Sequence, residues 1–143
     1  MSAPEHDTRC EGLPEYSADE LRVMKLAALD VGDIVGARLM DRRDCLPFLI
    51  VAADGKTMRT RCMTSQFPLI FERHDGMATE NNDGQMREWR ISCIQPLPLE
   101  MHNLMLSVDR RIRLGSDGTT NRLDEGDKRV LVFIADFWDR YPI

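Results

Sequence analysis

The sequence predicts an α+β fold, with a curled or barrel-like antiparallel sheet of five to six strands flanked by an N-terminal and a C-terminal helix. Three observations carry this. From Asp33 onward, apolar side chains recur at every second position, the period of a strand with one buried face. Segments beginning at Ser17 and near Asp124 instead carry the helical period and helix-start chemistry. The 143 residues, 43% of them hydrophobic, suit one domain that builds a core without disulfide or metal staples.

Met1–Tyr16 is polar and aperiodic, with two prolines and a glycine, and reads as a flexible arm ahead of a single domain over residues 17–143. Ser17 and Glu20 have the spacing of a capping box, in which each side chain satisfies an orphan backbone N–H. Leu21, Met24, Ala28 and Leu29 then form an apolar stripe, and Gly32-Asp33 ends the helix. Val35, Ala37 and Leu39 alternate with Gly36 and Arg38, as in a strand. Leu46–Ala53 is apolar on both faces and reads as a central strand. Asp54-Gly55 joins it to the alternating run Lys56–Met63, which predicts a hairpin with a type I′ turn.

Phe67–Arg73 is a further strand, placed at an edge or a strand start by Pro68, which has no N–H to donate. His74–Gln85 is polar and reads as a mobile loop or a long hairpin tip. Glu88–Ile94 alternates Trp89, Ile91 and Cys93 against Arg90 and Ser92, and Pro96 and Pro98 stop it. Leu99–Leu106 fits either a helical turn or a strand. Val108–Leu114 reads as a strand entering a turn at Ser116-Asp117-Gly118. The last helix is marked by Asp124, Glu125 and Asp127 in its first turn, where the helix dipole favours acids. Val130, Ile134, Phe137, Trp138 and Tyr141 give it a broad apolar face.

The net charge of -5 is uneven: residues 1–35 carry -5 and residues 36–62 carry +3. No apolar run approaches the roughly 20 residues a bilayer crossing needs, so no membrane role is expected. Cys10, Cys45, Cys62 and Cys93 contain no C-x-x-C pair, and the N-terminus lacks the basic and apolar regions of a secretory signal. All four thiols are therefore expected to be reduced, in a cytoplasmic protein. Arginine outnumbers lysine 16 to 3, a composition that suggests a GC-rich bacterial or phage genome.

Signatures of catalysis are missing. No G-x-S-x-G elbow or phosphate-binding glycine loop is present, and the three histidines have no local partner pattern. Cys62 and Cys93 fall on the inward parity of their strands and read as small core residues. Glu72 with His74, and Glu100 with His102, have the spacing of ligand pairs, but such pairs are common on solvated strand edges. No enzyme activity, cofactor or metal site is expected.

The feature that stands out is arginine parity. Arg38, Arg59, Arg61, Arg90, Arg111 and Arg113 all point away from the inferred core, and would form a basic sheet face suited to phosphate or carboxylate partners. The alternative is an ordinary solvated face on which Asp41, Asp44, Glu88 and Asp109 neutralise them. No aromatic residue interleaves with these arginines, so base stacking there has no support. Met77 and Met86, in the polar 74–87 stretch, are a second candidate contact. The expectation is a small binding protein acting on a protein partner, an accessory or inhibitory protein of a phage or mobile element. The alternative is a nucleic-acid-binding barrel using the six arginines. The sequence does not specify an oligomeric state.

Overall fold

A computed structural model describes residues 16–115 and 123–143. The elements are α1 (Ala18–Ala28), β1 (Ile34–Leu39), β2 (Leu46–Ala53), β3 (Thr57–Cys62), β4 (Pro68–Glu72), β5 (Met77–Asn82), β6 (Gln85–Cys93), α2 (Leu99–Leu114) and α3 (Glu125–Arg140). The strands form one antiparallel sheet in the order β4-β3-β2-β1-β6-β5. Its end strands β4 and β5 pack against each other, so the sheet is a nearly closed barrel. The α+β class and barrel-like sheet match the sequence reading. The flexible arm, Cys10 and the Ser116-Asp117-Gly118 turn lie outside the described residues.

Two bulges bend the strands as closure requires. On β6, Cys93 aligns with Gly36 and Ile91 with Ala37, so Ser92 is the extra residue. On β2, Ile50 aligns with Thr60 and Ala52 with Arg59, so Val51 is the extra residue. The bulge on β6 reverses parity. Ile91 points into the barrel, whereas Cys93 is buried in the separate layer beneath the helices. Strict alternation from Trp89 had placed Cys93 on the inner face.

The barrel interior is filled by Phe48, Phe71, Trp89, Ile50, Met58 and their neighbours. Phe48 stands at its centre, edge-on to Phe67, Phe71 and Trp89 at centroid distances of 5.7, 5.8 and 5.5 Å. The second layer joins Ile34, Met63 and Cys93 on the outer face to Met105, Val108 and Ile112 of α2 and to Ile134 and Trp138 of α3. Gly36 makes this approach possible: a Cβ there would lie 2.8 Å from the Cys93 Cβ and 2.9 Å from the Trp138 ring. The Trp138 indole donates to the Gln95 carbonyl at 3.0 Å. The Pro142 carbonyl accepts from the amides of Ile94 and Gln95, fastening the residues after α3 to the end of β6.

Several sequence expectations need correction. Residues 99–114 form one helix. Met105, Val108, Asp109 and Ile112 are its buried residues, spaced i, i+3, i+4 and i+7. The alternation of Arg111 and Arg113 with Ile112 and Leu114 imitates a strand over only four residues. Of the two readings of His74–Gln85, the hairpin is the one found: β5 and β6 pair across a turn at Asp83-Gly84 with positive φ at both positions, 53° and 83°. The hairpin at Asp54-Gly55 is also present, but Gly55 has no positive φ. There the Asp54 carboxylate accepts from the amides of Lys56 and Thr57, both at 2.8 Å, and shapes the turn instead.

The capping box at Ser17 and Glu20 forms as expected, but α1 is rotated from its predicted setting. It buries Arg22, Leu26 and Leu29, and leaves Leu21, Met24 and Ala28 exposed. The cause is polar. At the end of the barrel closed by α1, the carbonyls of Ile91 and Asp75 accept from the two terminal nitrogens of Arg22, the second at 2.7 Å. Arg73 closes the other end of α1, donating to the carbonyls of Leu26, Ala27 and Leu29 at 3.1, 3.2 and 2.9 Å.

Candidate functional site

The six arginines do not all lie on the sheet. Arg38, Arg59, Arg61 and Arg90 lie on strands whose inward residues are buried, so they share the outer face, and Arg38 pairs with Arg90 across β1 and β6. Arg111 and Arg113 are on α2. Arg38 donates to the carbonyls of Leu39, Met40 and Arg42 in the connection after β1. Arg61 is paired with the buried Asp109 of α2, and Arg111 with the buried Asp127 of α3. Arg59 and Arg113 are exposed. Half of the set therefore supports the fold, and Asp109, one of the four acids expected to neutralise it, does so.

Of the histidines, His6 lies outside the described residues. His74 is exposed, 3.4 Å from the Asp75 carboxylate, and His102 is half-buried on α2. Among the described residues no three His, Cys, Asp or Glu side chains gather as metal ligands, and no helix is long and apolar enough to cross a membrane. Met77 is half-buried within β5, while Met86 is exposed.

The arrangement that the sequence did not reveal is a cleft of about 640 Å³ between the outer sheet face and α3. Arg38, Cys45, Ser92 and Cys93 line its sheet side, and Leu131 and Ala135 face them from α3. Cys45 precedes β2 and Cys93 ends β6. Their sulfurs are 3.7 Å apart, and Cys45 Sγ is 2.9 Å from Ser92 Oγ. Cys45 is half-buried and Cys93 buried. Hydrogen bonding to Cys93 is the main cause that pulls the Cys45 thiol down to about 6. Ser92 and the Arg38 charge add to this, while burial and Asp44 oppose it. The hydrogen bond to Cys45, together with burial, pushes Cys93 up.

Sequence reasoning missed this pair because its members are 48 residues apart and the β6 bulge turns Cys93 outward. Gly36 was the available signal, since a glycine inside a strand often marks a close approach. No family model, curated protein or solved structure matches this chain. What the fold and the sites define is a small antiparallel barrel with a helix packed on its core, a thiol-lined cleft and, among the described residues, exposed apolar side chains on that helix.

Proposed function

We propose that the protein is a binding module that engages a protein partner through the outward side of α1. The observation that carries this is the rotation of the helix: a charged residue, Arg22, faces the barrel, while Leu21, Val23 and Met24 face solvent. Apolar side chains on the wet side of a helix fixed at both ends favour an intermolecular contact. Asp19, Glu20 and Asp30 are also exposed on this segment, so the fitting partner presents apolar side chains ringed by lysine or arginine. A module of this kind acts by covering its partner, which suits an accessory or inhibitory role. The nucleic-acid alternative has less support, because Arg38, Arg61 and Arg111 already spend donors within the fold.

The test compares the wild-type chain with the Leu21→Asp/Met24→Asp variant, first by thermal melting and then as bait in an extract of the source cells. The retained protein is purified and titrated against both. The reading expects equal melting, a one-to-one complex that weakens with salt, and a Kd raised at least about tenfold in the variant. Equal affinity for both chains, or retention abolished by nuclease, overturns it.

A further inference from the structure

We propose that Cys45 and Cys93 form a dithiol site that takes a small hydroperoxide as substrate and closes to a disulfide. This rests on the cleft and stands apart from the α1 contact. Three placements support it. The sulfurs are 3.7 Å apart, so they need approach by only roughly 1.6 Å to reach the bonded length of about 2.05 Å. Cys45 lies just outside the β2 ladder, free of the strand pairing that holds Cys93 at the end of β6. The two residues also differ in access: Cys45 is partly exposed in the cleft, whereas Cys93 is 7% exposed beneath α3. A peroxide entering from solvent therefore meets Cys45 first.

The surroundings fit the chemistry. Arg38 of β1 and Arg43 of the β1–β2 connection bring positive charge to the cleft, and Asp44, Asp136 and Asp139 bring negative charge. Hydrogen bonding to Cys93 is the main influence favouring the ionised form of Cys45, and Ser92 and the Arg38 charge add to it. Ser92 Oγ, 2.9 Å from Cys45 Sγ and 3.9 Å from Cys93 Sγ, can hydrogen-bond to either sulfur.

In the first step the Cys45 thiolate attacks one peroxide oxygen. The S–O bond forms, the O–O bond breaks, and the alkoxide or hydroxide leaves, taking a proton to become alcohol or water. Cys45 is oxidised to the sulfenic acid and the peroxide is reduced. In the second step the Cys93 sulfur attacks the Cys45 sulfur. The S–S bond forms, the S–O bond breaks, and hydroxide leaves with the Cys93 proton as water. Two thiols and one hydroperoxide thus give one disulfide, one alcohol or water, and one further water. An external dithiol, itself oxidised to a disulfide, restores the pair.

The experiment treats the full chain with one equivalent of hydrogen peroxide and maps its cysteine peptides by mass spectrometry without reduction. The expected result is a loss of about 2 Da located in a Cys45–Cys93 linked peptide and reversed by dithiothreitol. In Cys93→Ser the reaction should stop at a Cys45 sulfenic acid that dimedone captures. In Cys45→Ser peroxide consumption should fall at least about tenfold, to the level of the other thiols. The proposal is overturned if Cys45 reacts no faster than Cys10 and Cys62. A linkage that excludes the pair, or oxidation of Cys45 to the sulfinic acid with Cys93 untouched, overturns it as well. The wild-type peptide map decides the matter even if a serine variant fails to fold.

Discussion

Arg61 on β3 and Asp109 on α2 form a two-point ion pair, with Nε 3.2 Å from Oδ1 and Nη2 2.8 Å from Oδ2. Gln66 adds a third donor to Asp109 Oδ1 at 2.9 Å. Asp109 is 2% exposed, so the helix reaches the barrel wall through a buried charge that the strand satisfies. Arg61→Ala leaves that charge short of partners and should cost about 3 kcal/mol in urea unfolding. Replacing both residues, as Arg61→Met/Asp109→Leu, should recover most of the loss, since neither charge is then left buried and alone. An additive double variant would contradict this.

Gly36→Ala should destabilise by about 1–3 kcal/mol, because the new methyl group must displace Cys93 or the Trp138 ring. Gly55→Ala is the control. Nothing lies within 4 Å of a Cβ there and φ is not positive, so it should melt at the wild-type temperature or above. Calorimetry on the two variants checks the difference.

Arg22→Leu should cost about 2–3 kcal/mol despite adding an apolar side chain to a buried position. It removes the donors from the carbonyls of Ile91 and Asp75. Hydrogen exchange should locate the loss, with the Ile91 amide, which donates to the Gly76 carbonyl at 2.9 Å, losing protection. Unchanged stability would show that water replaces the guanidinium at no cost.

The alkylation rate of Cys45 should rise with pH around a midpoint of about 6, since only the thiolate reacts. Ser92→Ala and Arg38→Gln each remove an influence that favours the thiolate, so each should move the midpoint upward. Peptide-resolved iodoacetamide labelling between about pH 5 and pH 9 reads this directly. A midpoint that stays in place in both variants would refute these assignments.

The elements legible in the sequence were those specified by local chemistry. Ser17 with Glu20 announces a boundary through backbone N–H groups that need partners, the acids Asp124, Glu125 and Asp127 through the helix dipole, and Pro68 at the start of β4 through the N–H it lacks. What was not legible depended on distant partners. The setting of α1 is decided by two carbonyls more than 50 positions away, against an apolar stripe that points outward. The strand-like rhythm of residues 108–114 yields to α2 because the helix, unlike a strand, buries Val108, Asp109 and Ile112 together. Inward and outward parity held for Met58, Thr60 and Cys62, where β3 has no bulge, and failed for Cys93 beyond one. The thiol pair was invisible for the same reason.

The forked grip of Arg22 would also govern how α1 meets a partner in the proposed contact. A helix seated by hydrocarbon alone can roll by a few tens of degrees at little cost, whereas one keyed by two directional bonds cannot. The outward side chains are thus presented in a single orientation before any encounter. In the proposed contact less rotational freedom would then be surrendered on association, and selectivity would come from a preset template rather than from mutual adjustment.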